Sequence, residues 1–162
     1  MAGVRMGTTT MPWIDEAYRR RRRIQSLVGW RTRGVKVAAF NAAGEVLLVR
    51  HRYGDTSAYL LPGGGVKWRE RPDVAAIREI REELGCGLAA LTFVGTYLAR
   101  GEGRRDTVHL YRALVVGAPV PDAVEIAAAG FFAPDGLPPT ASPATRRRLA
   151  EIAGARPIDG VW

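Results

Sequence analysis

Three glutamates, Glu79, Glu82 and Glu83, stand at i, i+3 and i+4 in the stretch Arg78-Glu79-Ile80-Arg81-Glu82-Glu83. On an α-helix, which turns roughly 100° per residue, these positions share a face, so the carboxylates are expected to converge. Like charges placed this way destabilise a helix by about 0.2–0.5 kcal/mol per pair. A hard divalent cation removes that penalty, and magnesium takes a few carboxylate oxygens together with water and phosphate oxygens. The pattern therefore suits a metal ion held against an anionic phosphate. The alternative is a solvated acidic helix, with Arg78 paired to Glu82 and Arg81 nearby.

The neighbouring residues define how such a helix would sit. Ala75 lies on the acidic stripe one turn earlier, and its small side chain would leave room. Ala76, Ile77, Ile80 and Leu84 form an adjacent apolar stripe expected to face a core, with Val74 and Arg81 on the remaining side. Pro72 suits the first turn and Gly85 a C-terminal stop, whereas Arg71 is a poor N-cap. Ahead of the helix runs Leu61-Pro62-Gly63-Gly64-Gly65, whose glycines permit positive φ and close approach of backbone to a ligand.

In order, the segment reads Gly64, five residues, Glu70, seven residues, Arg78, Glu79, Ile80, one residue, Glu82, Glu83, one residue, Gly85 and Cys86. This is the full spacing of the Nudix box, and the chain resembles a Nudix hydrolase over roughly residues 34–154. The resemblance implies an α/β/α sandwich with a mixed central sheet. It also implies metal-dependent cleavage of the pyrophosphate bond in a nucleoside diphosphate linked to another moiety, with Mg2+ or Mn2+ as cofactor. By the same resemblance the Gly63 carbonyl and the Glu79, Glu82 and Glu83 carboxylates would hold metal. Arg78 would orient the glutamates and Glu70 would support the site. Glu79 is the leading proton acceptor within the box, and Glu125 of Val124-Glu125-Ile126 is the candidate from a later loop. Some members carry an acid just before the aromatic pair that here is Phe131-Phe132; this chain has Gly130 there.

The surrounding elements follow from alternation and turn residues. Val35 to Asn41 and Glu45 to His51 read as a hairpin turning at Ala42-Ala43-Gly44, and Tyr59 to Pro62 as a short strand. Leu91 to Arg100 and Asp106 to Val116 read as a second hairpin, punctuated at Gly101-Glu102-Gly103. Glu125 to Phe132 is a further strand, and Ser142-Pro143 opens a last helix running over Arg146 to Ala153. Aromatic rings able to stack on a base, worth ~1–3 kcal/mol each, are Tyr53, Trp68, Tyr97 and Phe131. Trp68 serves a partner surface equally well. Arg50, His51 and Arg52 follow a strand and either meet phosphate or are solvated strand-end residues. His109, between apolar neighbours, points into the cleft or outward.

At 162 residues the chain is most simply one domain, Nudix-like over 34–154, with a basic extension over 1–33 and a tail over 155–162. The net charge of +8 resides mostly in the extension, above all in Arg19-Arg20-Arg21-Arg22-Arg23. Such a run can bind nucleic acid, which keeps an RNA 5′-pyrophosphohydrolase open beside a small-molecule nucleotide enzyme. Ile14, Ala17, Tyr18, Ile24 and Val28 recur around it at helical spacing, favouring a helix packed on the domain or on a second subunit; monomer and homodimer both remain open. A non-catalytic nucleotide-binding module would have lost box glutamates, and none is lost. There is no apolar run long enough to span a membrane. The start lacks a secretory layout and the lone Cys86 can form no internal disulfide, so a reducing cytoplasm is the expected location.

Overall fold

The structure, a computed structural model, describes residues 32–54, 56–101 and 104–162. The arginine run and the helix expected around it lie outside the described residues. Among the described residues, strands β1 (Arg33–Phe40), β2 (Val46–His51), β3 (Gly87–Gly101), β4 (Arg104–Val116) and β5 (Ile126–Phe132) form one sheet in the order β3-β4-β1-β2-β5. β1 and β4 run parallel and the other pairs antiparallel. Helices α1 (Pro72–Leu84) and α2 (Pro143–Ile152) complete the set.

Alternation along the strands divides the apolar side chains between two faces. Val35, Val37, Ala39, Leu47, Val49, Tyr111 and Ala113 pack against Ala75, Ala76, Ile80 and Leu84 of α1. Ala38, Val46, Leu48, Tyr97 and Leu110 pack with Leu149 of α2 on the other face. The result is the expected α/β/α sandwich with a mixed sheet.

The β1–β2 turn is built by Asn41, whose Oδ1 accepts from the backbone N–H groups of Ala43 (3.0 Å) and Glu45 (2.9 Å), with Gly44 at φ +79°. Beyond that turn the two strands part. The segment after Tyr59 enters the gap, pairing first with β2 through Val49 and Leu60, then with β1 through Val37 N–H to Pro62 O (3.0 Å) and Val35 N–H to Gly64 O (2.9 Å). This wedge carries the glycine run into the middle of the sheet.

Two expectations need correction. Ile77 is 47% exposed, so it does not belong to the core-facing stripe. The buried face of α1 is turned toward the acidic stripe and comprises Ala75, Ala76, Glu79, Ile80, Glu83 and Leu84. β3 begins at Gly87, directly after the helix, not at Leu91. Its register shifts between Ala89 and Thr92 and Ala90 takes φ +52°, so a bulge breaks the alternation that marks a strand in sequence.

Residues 155–162 are docked. Leu98 N–H donates to Gly160 O (2.8 Å) and Trp162 N–H to Leu98 O (3.1 Å), covering part of the outer edge of β3. Arg148 of α2, fully buried, anchors this segment: it donates to Val161 O (2.6 Å) and Glu151 Oε1 (2.8 Å) and stacks over Tyr97 at 4.1 Å.

Candidate active site

α1 is held at both ends by groups read from the sequence. Pro72 occupies its first turn, and Arg71 makes no side-chain cap, as its residue type implies. Gly85 adopts φ +62° and its N–H closes on Arg81 O. The last carbonyls are satisfied by the loop after β4: Val120 N–H donates to Leu84 O (2.7 Å) and Asp122 N–H to Glu83 O (2.8 Å). These bonds tie the Glu125 loop to the acidic end of the helix.

The glycine loop fits the helix through atoms that a side chain would displace. A Cβ on Gly64 would lie 2.5 Å from the Glu79 carboxylate. A Cβ on Gly63, at φ +129°, would lie 2.4 Å from the Val35 carbonyl oxygen. Gly63 thus lies flat against β1, and both its peptide groups turn to the site. Its N–H donates to Glu83 Oε2 (3.1 Å) and its carbonyl accepts from Lys36 Nζ (2.9 Å).

Arg78 organises the remaining acids. Its Nε and Nη2 grip both oxygens of Glu70 (2.7 and 2.9 Å), Nη1 reaches Glu79 Oε1 (2.7 Å) and Glu82 Oε2 (3.0 Å), and Nη2 also reaches Gly65 O (2.9 Å). Glu70 is held down at about 2, first by Arg78 and then by the Lys67 N–H, so it is a fixed anion. The same contacts raise the Arg78 pKa.

Among the described residues no three acidic, imidazole or thiol groups are placed to enclose a metal ion as they stand. Arg78 draws Glu79 and Glu82 to one nitrogen, while Glu83 turns inward to Gly63 N–H. Glu82 is the most exposed of the three, and its Oε1 lies 3.9 Å from Lys67 Nζ. Burial pushes Glu83 up to about 7, an effect that Lys36 and the Gly63 N–H reduce and that Glu79 and Glu125 increase. A buried carboxylate so poorly compensated, beside two more carboxylates, offers the hard oxygen donors that magnesium or manganese accepts.

Two further titratable groups are coupled electrostatically to these acids or to each other. Lys36 rises from β1 between the buried Val35 and Val37; burial lowers its pKa, and Glu83 and Glu79 oppose that. His51, half-buried at the end of β2, is lowered to about 4 by burial and then by Lys36. Sequence reasoning missed Lys36. The available signal was a lysine in the middle of an otherwise apolar strand. Glu125 is exposed, and its charge is the smallest of the effects that raise Glu83.

The proposed substrate contacts scatter. Arg50 donates weakly to Thr56 O (3.4 Å), and Arg52 is exposed with its N–H on Glu125 O (2.9 Å). Tyr53 is half-buried. Phe131 packs partly buried against the α1-side core. Trp68 is 84% exposed at the tip of a turn in which Arg69 adopts φ +62°. Tyr97 is excluded as a base platform. It is fully buried on the opposite face, its hydroxyl donating to Glu151 Oε2 (2.7 Å). His109 shares a hydrogen bond with Thr96 Oγ1 (3.1 Å).

Comparison with known proteins agrees with this geometry. The NUDIX domain model matches residues 30–152. A Bacillus subtilis (strain 168) protein named putative 8-oxo-dGTP diphosphatase is 30% identical over 122 residues, covering 75% of this chain and 79% of its own. The crystal structure of a MutT NUDIX hydrolase from Burkholderia pseudomallei superposes with a TM-score of 0.69 at 30% identity, over 76% of this chain and 98% of that one. The solution structure of the Escherichia coli ORF135 protein, at 24% identity and TM-score 0.62, shares the fold over 82% of this chain and 99% of its own. With the box complete, its arginine wired to three of the box glutamates and the family model spanning most of the sequence, the chain belongs to the Nudix family of hydrolases.

Proposed function

We propose that this Nudix hydrolase cleaves the pyrophosphate bond of a nucleoside triphosphate or similar nucleotide with Mg2+ as its cofactor, Mn2+ substituting. The single observation that carries the reading is the Arg78 hub joining Glu70, Glu79 and Glu82 beside a buried Glu83 that lacks full compensation. The Gly63 carbonyl and the Glu79, Glu82 and Glu83 carboxylates would hold the ion, which when bound neutralises phosphate charge and acidifies water.

The chain's own residues do the rest. Arg78 keeps Glu79 and Glu82 at fixed positions, and Glu70 keeps Arg78 there. Gly63, Gly64 and Gly65 let a phosphate approach the helix without side-chain obstruction. Glu79, pressed against Gly64 at the mouth of the loop, is assigned the proton acceptor, and Glu125 a supporting carboxylate. Arg50, Arg52, Tyr53, Trp68 and Phe131 remain the proposed substrate contacts. The lone thiol, Cys86, is buried and its pKa raised by burial, in keeping with an inert core residue in a cytoplasmic protein.

An oxidised guanine nucleoside triphosphate is the first substrate to try, since the Bacillus subtilis relative is named for one. A screen should cover nucleoside triphosphates, dinucleoside polyphosphates, nucleotide sugars and 5′-triphosphorylated RNA. Release of pyrophosphate or phosphate is expected only with divalent metal. Glu82→Gln and Glu83→Gln should each abolish it, and Glu79→Gln should cost about 10²–10⁴-fold in kcat. Activity that survives both of the first two changes overturns the site. Turnover of RNA alone, lost on removing residues 1–31, would replace the small-molecule reading with the RNA reading.

A further inference from the structure

We propose that Asp122 is a positioning residue of this site: it ties the carbonyl end of α1 to the turn that carries Glu125, so that this carboxylate is held in register with the box glutamates. The inference rests on the reading of Glu125 above as a supporting carboxylate and names what keeps it in place.

The segment Pro119-Val120-Pro121-Asp122 alternates proline with residues that own an N–H. Proline fixes its own φ and keeps the residue before it extended, so the segment is stiff before it meets the helix. Its two N–H groups both go to α1: Val120 donates to Leu84 O (2.7 Å) and Asp122 to Glu83 O (2.8 Å). Those carbonyls belong to the last helical turn, which has no partners within the helix. Glu83 and Leu84 are buried, so the strap supplies bonds that water is poorly placed to replace.

Asp122 uses its remaining groups on the turn that follows. Its Oδ1 accepts from Val124 N–H (3.0 Å), and its carbonyl accepts from Glu125 N–H (3.2 Å) and Ile126 N–H (2.8 Å). The Glu125 carbonyl in turn accepts from Arg52 N–H (2.9 Å), just beyond β2. The turn is thereby fixed at two points, on the helix through Asp122 and on the sheet side through Arg52. The Glu125 side chain is exposed, so its position follows from its backbone rather than from packing. Without the Asp122 carboxylate, Val124 N–H loses its acceptor and the turn can open while the strap stays on the helix.

The test is a double-mutant cycle between Asp122→Ala and Glu125→Gln in the full-length protein. It is read as kcat and KM with Mg2+ on 8-oxo-dGTP or, if that is not turned over, on the best nucleotide of the screen above. Asp122→Ala alone is expected to lower kcat at least about fivefold, within the ~10²-fold that a misplacement of about 1 Å can cost, with KM within about threefold of the parent. In the Glu125→Gln background it should cost less than about twofold more. Asp122→Asn, whose side-chain oxygen still accepts from Val124 N–H, should return kcat to within about twofold of the parent. Amide hydrogen exchange in the metal-free protein should be faster at Val124 and Glu125 in the alanine variant and unchanged in the asparagine variant. An alanine variant with unchanged kcat overturns the proposal. So does an equal loss in both backgrounds, which would make Asp122 a general support of the fold, and so does an asparagine variant as slow as alanine. If thermal unfolding shows that the alanine variant does not fold, Pro121→Ala, which loosens the strap but keeps its N–H groups, goes through the same cycle with the same expectation. Glu82→Gln and Glu83→Gln separate the two levels. If both abolish activity while Glu125→Gln leaves kcat unchanged, Asp122 has nothing to position and this inference falls alone with the supporting carboxylate. If both keep activity, the metal-site reading itself falls.

Discussion

Replacing Glu83 by glutamine should stabilise the metal-free protein while removing its metal affinity. Glu83 is 5% exposed, and its pKa is raised from 4.5 to about 7, chiefly by burial. The folded state therefore binds this proton more tightly than the unfolded chain does. Below about pH 4.5 both states hold it and there is no penalty. As pH rises toward 7 the unfolded chain loses the proton first, and stability falls; above about 7 the full penalty of a buried carboxylate is present. At 1.36 kcal/mol per pKa unit this is about 3 kcal/mol. Glutamine has no proton to lose, and its amide oxygen can still accept from Gly63 N–H. In chelator, the stability gap between variant and parent should open from near zero at about pH 4.5 to about 3 kcal/mol at about pH 8. Denaturant unfolding at several pH values measures it. Mg2+ should then raise the stability of the parent at the upper pH and leave the variant unmoved. Glu82→Gln is the control: its side chain is 55% exposed, so the stability change should stay within about 0.5 kcal/mol at every pH. A gap that does not vary with pH, or a variant less stable than the parent above pH 7, would refute the reasoning.

Three further outcomes follow from the packing. Gly64→Ala should cut activity sharply with a smaller effect on stability, since its Cβ would push the Glu79 carboxylate, 2.5 Å away, out of place; unchanged kcat would detach Glu79 from the chemistry. Arg148→Ala should cost about 3–5 kcal/mol in denaturant unfolding by removing the closest cation of the buried Glu151, which keeps only the Tyr97 hydroxyl and a 3.8 Å approach of Arg156, while kcat of the folded fraction is kept. Trp68→Ala, at an 84% exposed site, should change stability by less than about 0.5 kcal/mol. If Trp68 stacks on the base it should also raise KM by roughly 5- to 150-fold, corresponding to ~1–3 kcal/mol; an unaltered KM removes it from the substrate set.

The local chemistry was legible in the sequence because it is carried by short-range spacing. Glu79, Glu82 and Glu83 share one helix, and Gly64 and Gly85 bracket it. The turn at Asn41 to Gly44 and the start at Ser142-Pro143 likewise depend on neighbours in the chain. Sequence by itself thus determined the box, the elements and the family. Tertiary structure alone decided the rest. Helical periodicity is blind to what lies opposite, so it placed Ile77 inside and the acids outside. The sheet buried Ala75, put Glu79 and Glu83 against the glycine wedge and left Ile77 in solvent. Tyr97, a plausible base platform by type, went to the opposite face by the parity of β3 past its bulges. Lys36 lies 27 residues from Gly63, and they meet only because the chain after Tyr59 returns between β1 and β2. Partners that distant are chosen by strand pairing and burial, and no local pattern of residue types records that choice.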